Sequence, residues 1–222
     1  MTTSLKIDFV SDIACPWCAV GLGALEQALA RVQPDIQAEL HFQPFELNPN
    51  MGAQGQDISE HLTEKYGSTP QQQAQIRDNI RQRGAEVGFA FRPEGRGRVW
   101  NTFDAHRLLH WAALEGGDKQ HALKKALLQA YHGRADNVTD PEVLVGAAAS
   151  AGLDAARARA ILAGDEYADA VRQTEQRYLQ SGIHSVPAVI INDQFLISGG
   201  QPAEIFEQAL RRIAADMVTA QA

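Results

Sequence analysis

Cys15 and Cys18 have the clearest chemical potential in this sequence, and they are the only two cysteines among its 222 residues. Pro16 and Trp17 separate them, which is the spacing of a dithiol that can close to a disulfide and open again. The pair therefore predicts thiol chemistry. One sulfur would attack a partner, and the other would resolve the mixed disulfide that results.

A strand followed by a helix is predicted around the pair. Residues 5–10 are typical of a short strand, and apolar residues then recur at helical spacing at Leu22, Leu25, Leu29 and Val32. Cys15 is thus expected at the helix N-terminus, where unpaired N–H groups and the helix dipole favour a thiolate. There a cysteine pKa falls from about 8.5 to roughly 3.5–7.5. We expect Cys15 to be the exposed nucleophile, and Cys18, one turn deeper, to be the resolving thiol.

Composition and charge restrict the class of partner. The net charge is −7, whereas nucleic acids and anionic membrane surfaces are bound by basic patches. We therefore expect no nucleic-acid and no membrane partner. The expected partners are proteins that carry thiols or disulfides, and small thiols. The oligomeric state is left open, with a homodimer as one alternative.

The location of the protein is predicted from its apolar segments. No stretch approaches the roughly 18 apolar residues that span a bilayer. Near the N-terminus, Lys6, Asp8 and Asp12 interrupt the apolar segment that a secretion signal needs. We therefore expect a cytoplasmic protein. In that compartment a vicinal cysteine pair is more often catalytic or metal-binding than structural.

The periodicity of the sequence changes along the chain. Residues 1–52 indicate strand, helix and strand, with the second strand predicted over 38–45. Residues 57–180 show helical patterns broken by glycine and proline, and they predict five or six helices.

A hairpin and a helix are predicted at the end of the chain. Residues 188–191 and 195–197 read as strands, and Asn192-Asp193 supplies the turn between them. A last helix follows Gly199-Gly200. We assign two domains: a thioredoxin-like domain of residues 1–52 and 183–222, and an inserted helical domain of residues 53–182.

This order of elements resembles the thioredoxin fold, and the long insertion resembles the DsbA family, in particular its FrnE-type branch. The fold class implied is α/β, a thioredoxin fold with a large all-helical insertion, and the activity implied is that of a thiol-disulfide oxidoreductase. Thiol exchange needs no metal and no organic cofactor, and glutathione is a candidate redox partner. Three blocks carry the resemblance: Ser11 to Cys18, Asn101-Thr102 with Ala105 to Leu108, and Gly182 to Ala188.

The resemblance also implies roles for individual residues. Val186-Pro187 is expected to be a cis peptide bond that faces the cysteine pair, with the Val186 backbone available to bind substrate as an added strand. Asn101 and His106 are expected near the active-site face. Substrate contacts are accordingly predicted at Pro16, Trp17, Val186, Pro187, His184, Asn101 and His106.

One residue departs from the family pattern. Strongly oxidising DsbA proteins have a histidine between their cysteines where this chain has Trp17. An indole offers only an N–H donor and a ring to a thiolate. The reduction potential, and with it the direction of the reaction, is therefore left open.

Three other functions are compatible with the sequence. A zinc site could combine the two cysteines with His106 and His110, which lie four residues apart on a predicted helix. A glutathione-dependent isomerase or transferase, of the hydroxychromene carboxylate isomerase or kappa-class type, could use Ser11. A peptide-binding chaperone could use the groove between the two domains.

Several charged residues receive a structural interpretation. Asp8 and Asp12 could relay a proton from Cys18, but exposed carboxylates at the end of a strand are the commoner case. The basic cluster of Arg92, Arg96 and Arg98 is expected on a solvated loop.

Overall fold

The computed structural model describes residues 2–220, and a four-stranded sheet in the order β2-β1-β5-β6 lies at its centre. β1 runs parallel to β2 and antiparallel to β5, and β5 pairs antiparallel with β6. The strands are β1 (Thr3–Ser11), β2 (Ile36–Pro44), β5 (Ala188–Ile191) and β6 (Phe195–Ser198). The predicted mixed α/β fold with a helical insertion is confirmed. The second strand begins two residues earlier than predicted.

β1 is the central strand because both of its faces are apolar. Leu5, Ile7 and Phe9 lie on one face, in the core that the sheet shares with two helices, and Val10 lies on the other face against Phe45. The two helices are α1 (Pro16–Val32), which connects β1 to β2, and α9 (Ala203–Ala220).

The predicted hairpin at the C-terminal end of the sheet is confirmed. Asn192 and Asp193 both adopt positive φ, at 51° and 58°, which Asn and Asp tolerate better than most residues. Lys6 fixes this turn to β1 because its backbone N–H donates to the Asn192 side chain and its ammonium bonds Asp193.

The segment between β2 and β5 is mainly helical. A two-residue ladder that the sequence did not predict joins β3 (Gln56–Asp57) to β4 (Arg98–Val99). Seven α-helices and one π-helical turn lie in this part of the described chain: α2 (Ile58–Tyr66), α3 (Pro70–Glu86), α4 (Phe103–Glu115), α5 (Lys119–Leu128), the π-helical turn (Gln129–Arg134), α6 (Pro141–Ser150), α7 (Ala155–Leu162) and α8 (Ala168–Gln180).

The expected number of five or six helices was too low. The alanine-rich stretch around residues 141–162 forms two helices, because Gly152 takes a positive φ and Asp154 caps a new helix by accepting from the Arg157 N–H. Across residues 2–220, no helix is long and apolar enough to cross a membrane.

A second apolar core fills the helical part of the chain. It is built from α4, α5, α6 and α7, and it includes Ile13 and Ala14, the two residues that precede Cys15. The cysteine turn therefore packs into the core of the insertion. The predicted domain boundaries at residues 52 and 183 stay a prediction.

The packing of α1 can be tested by truncating Leu25, which is fully buried. Leu25→Ala should lower the free energy of unfolding by about 2–5 kcal/mol, because a cavity remains in the core. Leu114→Ala is the control, since this α4 leucine is 65% exposed, and it should change the free energy by less than about 0.5 kcal/mol. Equal effects in urea titrations of the reduced variants would contradict this packing.

Candidate active site

The two cysteines lie at the start of α1 as a reduced pair. Cys15 is the N-cap residue and Pro16 occupies the first helical turn, where a missing N–H has no consequence. Neither cysteine is in a disulfide, and their sulfur atoms are about 3.6 Å apart. A small approach of the two sulfurs would therefore be enough to close the bond.

The two thiols differ in acidity. A hydrogen bond from the Cys18 thiol lowers the pKa of Cys15 against the opposing effect of burial, and the N–H groups of Cys18 and Trp17 lower it further. Burial raises the pKa of Cys18 well above its usual value, and the adjacent Cys15 charge adds to the rise. When the pair loses its first proton, the negative charge is therefore held on Cys15.

The expected exposure of Cys15 is wrong. Cys15 is 5% exposed and Cys18 is fully buried. Ile13, Ala14 and the Val186 segment enclose the helix start, and the Cys15 sulfur lies 3.5 Å from the Val186 carbonyl oxygen. That distance suits a thiol donor, and a thiolate at Cys15 would leave the carbonyl without this bond.

Close packing brings the Val186-Pro187 segment against α1. The Val186-Pro187 peptide bond is cis, as is Gln33-Pro34. A side chain at Gly21 would place its Cβ 3.1 Å from Pro187 Cγ and 3.3 Å from Gly200 Cα. Glycine at position 21 therefore lets the segment approach the helix closely enough for Val186 to reach Cys15.

A fully buried carboxylate, that of Asp12, organises the turn before Cys15. Its oxygens accept from the Ala14 N–H at 3.0 Å, the Leu47 N–H at 2.7 Å and the Thr102 hydroxyl at 2.8 Å. His106 Nε2 lies 3.5 Å away. Burial opposes ionisation of Asp12, but these partners outweigh it, His106 first, and the pKa of Asp12 is lowered. Asp12 is thus a buried carboxylate and not the exposed one that the sequence suggested.

The backbone of the same turn is bound by residues of the insertion. His132 Nε2 donates to the Ile13 carbonyl at 2.8 Å, and the Arg96 guanidinium donates to the Ala14 carbonyl. Burial, with Arg96 nearby, lowers the pKa of His132 to about 3. His132 is therefore neutral, with its proton on Nε2.

The sequence did not single out His132, and it placed Arg96 on a solvated loop. Arg96 is half-buried and its guanidinium lies over the Tyr131 ring. The π-helical turn is what directs His132 at the cysteine turn. Such local departures from α-helix often mark functional sites, but no local sequence signal identified this one.

The remaining predicted site residues lie in different surroundings. Pro16 and Trp17 are half-buried beside Cys15, and His184 is exposed in the loop before Val186. His106 is 2% exposed and lies beside Asp12. It therefore contacts the Asp12 carboxylate and is not accessible to a substrate. Asn101 accepts from the Phe103 N–H at the start of α4.

The other charged and metal-site candidates are distributed as follows. Asp8 is buried, contrary to expectation, and it bonds Lys6 and Gln43. Arg92 and Arg98 bind backbone carbonyls of neighbouring loops. Within residues 2–220, no three His, Cys, Asp or Glu side chains are grouped so as to hold a metal ion. The four residues of the zinc alternative are therefore not assembled.

A thioredoxin-type sheet, a helix that begins at a dithiol, and an inserted helical core define a DsbA-like class of protein. Residues 6–211 match the model of the DSBA-like thioredoxin domain. The chain belongs to this family.

Individual relatives agree with this assignment. The probable DsbA oxidoreductase SCO1869 from Streptomyces coelicolor shares 38% sequence identity with this chain. Its crystal structure matches with a TM-score of 0.85, over 94% of this chain and 89% of that one. The uncharacterized protein YwbO of Bacillus subtilis is 28% identical over 95% of this chain and 96% of its own. The structure of 2-hydroxychromene-2-carboxylate isomerase shares the fold, with 12% identity and a TM-score of 0.67 over 98% of this chain and 100% of that one.

The lowered pKa of Cys15 should be visible in its alkylation. We expect the rate of modification by iodoacetamide to rise with pH to a plateau. The pH of half-maximal rate should lie clearly below about 8.5, the pKa of a free cysteine. Intact mass gives the rate, and Cys15→Ser measures the contribution of Cys18. A midpoint at or above 8.5 would show that the helix start does not stabilise a Cys15 thiolate.

The neutral state of His132 should make stability depend on pH. An unfolded histidine protonates below about pH 6.5, whereas folded His132 does so only near 3. The contribution of neutral His132 to the free energy of unfolding is therefore fully present above pH 6.5. It is lost as the pH falls from 6.5 towards 3, by up to about 1.4 kcal/mol per pH unit. His132→Gln keeps an N–H donor without this titration, so its free energy of unfolding should fall less steeply between pH 6 and 4.

The control is His184→Gln, because His184 is exposed. Its pH dependence should follow the wild type. Parallel curves for wild type and His132→Gln in urea titrations would contradict the assignment of a neutral, buried His132.

Proposed function

We propose that the protein exchanges disulfides through Cys15 and Cys18, with Cys15 as the nucleophile and Cys18 as the resolving thiol. The observation that carries the proposal is the pair itself: two thiols about 3.6 Å apart at a helix start, with the pKa of Cys15 lowered and that of Cys18 raised. Family membership supports the class of activity, that of a thiol oxidoreductase.

Each direction of the reaction follows from this arrangement. In reduction, the Cys15 thiolate attacks a substrate disulfide and releases one substrate thiolate, which takes up a proton. Cys18 then loses its proton and attacks Cys15, so that the pair becomes a disulfide and the second substrate thiol leaves. In oxidation, a substrate thiolate attacks Cys15 of the disulfide and Cys18 leaves as a thiolate. A second substrate thiolate then attacks the substrate sulfur of the mixed disulfide, so that the product disulfide forms and Cys15 leaves as a thiolate, while Cys18 takes up a proton.

The buried position of Cys15 favours substrates that bring an accessible sulfur to a narrow site. Small thiols such as glutathione satisfy this requirement, and so does an extended peptide that adds to the Val186 backbone. We propose Trp17, Pro187 and the exposed His184 as the contacts of such a substrate. A cytoplasmic location is retained as part of the proposal, with a homodimer as one alternative for the oligomeric state.

A glutathione-dependent isomerase is the second candidate, because an isomerase shares the fold. Such an enzyme would use a single hydroxyl or thiol to hold glutathione, and it would not need a resolving neighbour. Ser11 does not suit this role, since it is fully buried and its hydroxyl bonds the Phe9 carbonyl. The paired thiols favour disulfide exchange.

The roles of the two cysteines can be separated by substitution. Cys18→Ser should still attack disulfides but lose the intramolecular escape, whose effective concentration is very large. It should therefore accumulate a mixed disulfide with glutathione, visible by intact mass. Cys15→Ser should form none, and its exchange rate should fall by at least about 100-fold.

Equal accumulation of the mixed disulfide in both variants would contradict the roles assigned to Cys15 and Cys18. Unchanged exchange in either variant would show that the pair is not the site. Isomerase activity that survives in a double serine variant would support the second candidate instead.

A further inference from the structure

Lys124 is a buried lysine that the exchange scheme above does not use. It lies on α5, its side chain is fully buried, and Nζ makes no hydrogen bond to any described residue. An unpaired ammonium in a protein interior is strongly unfavourable. A lysine in this position therefore calls for a charge that it could compensate.

The neighbours of Lys124 on α5 point elsewhere. His121 and Lys125 both bind Glu26, on the outer side of α1, and Gln120 binds the backbone of Phe42. These contacts fix α5 against α1 and β2. Lys124 is thereby held on the inner side of α5, with no freedom to reach solvent without unpacking the helix.

The groups that face the Lys124 ammonium come from three elements. Leu128, one turn further along α5, packs in the same core cluster as Cys15 and Cys18 of α1. From this side of α5, Lys124 interacts electrostatically with both cysteines, with Asp12 in the turn after β1, and with neutral His132 in the π-helical turn. Burial lowers the pKa of Lys124, and the negative forms of Cys18, Asp12 and Cys15 oppose this effect in that order. Conversely, Lys124 draws the pKa of Cys18 down against its burial.

No described residue forms a hydrogen bond with Lys124 in the reduced state. The Asp12 carboxylate accepts from Ala14, Leu47 and Thr102, with His106 Nε2 3.5 Å away. The Cys15 sulfur lies against the Val186 carbonyl, and Cys18 retains its proton. The charge that would complete the site is a Cys18 thiolate, which exists only while a disulfide is opening or closing.

We propose that Lys124 is a positioning residue that stabilises the Cys18 thiolate during disulfide exchange. This inference rests on the proposed function. When substrate thiolate attacks Cys15, the S–S bond breaks and its electron pair passes to Cys18, opposite the ammonium. In the reverse step, Cys18 gives its proton to solvent, attacks Cys15 of the mixed disulfide, and the departing substrate thiolate takes up a proton from solvent.

The test removes the charge of Lys124 and keeps the length of its side chain. Lys124→Met should slow resolution of the glutathione mixed disulfide by about 10- to 100-fold near neutral pH, because the Cys18 thiolate is no longer stabilised. The pH at which resolution reaches half its maximal rate should rise by about one unit or more. The rate of resolution and its pH dependence are measured by mixing reduced protein with oxidised glutathione, quenching with acid at successive times, and determining the mixed disulfide by intact mass.

Lys125→Met is the matched control. It makes the same change at the next residue, but on a 56% exposed side chain, and it should leave the rate and pH profile within about twofold of the wild type. A Lys124→Met profile that coincides with the control would overturn the inference. The proposed function fails separately if the wild type forms no mixed disulfide or if Cys15→Ser exchanges normally.

Stability provides a second readout. Removal of an unpaired buried charge should leave the urea midpoint of the reduced protein unchanged or higher. A clear fall in that midpoint, or failure of both Lys124→Met and Lys124→Gln to fold, would identify Lys124 as a structural residue and overturn the inference.

Discussion

The buried carboxylate of Asp12 is the interaction on which the site depends. It binds the cysteine turn through Ala14, the loop after β2 through Leu47, and the start of α4 through Thr102. A buried carboxylate keeps its charge only when such donors surround it. Each donor in turn would be left unsatisfied without it. One side chain thus fixes three chain segments at the position where the thiol pair begins.

The insertion supplies part of the candidate active site as well as a second core. His132 and Arg96 bind the two carbonyls that precede Cys15, and Lys124 is a fully buried lysine that lowers the pKa of Cys18 against its burial. A turn held from the insertion by carbonyl and carboxylate contacts has little freedom to move. The sulfur positions that disulfide exchange requires are consequently set by long-range contacts and not by the helix start alone.

The parts of the structure that the sequence predicted are those with local signals. The cysteine spacing and the Asn192-Asp193 turn each depend on residues close together in the chain. The environments of Asp12 and Lys124 could not be predicted in this way. Leu47 and Thr102, which bind Asp12, lie 35 and 90 residues from it in the chain, and Cys18 lies 106 residues from Lys124. A charged residue is moreover normally exposed. Only the packed fold shows that these two are not.

Exposure does not explain the difference between the two thiols, because both are almost fully buried. Desolvation raises the pKa of each thiol, so the asymmetry must come from the donors around them. Cys15 receives the N–H groups of Trp17 and Cys18 and the thiol of Cys18 itself. Once Cys15 is charged, its field keeps the proton on Cys18. The proposed nucleophile is therefore selected by the Cys18 thiol and the N–H groups of the first helical turn, and the proposed resolving thiol is selected by its burial and its proximity to the Cys15 charge.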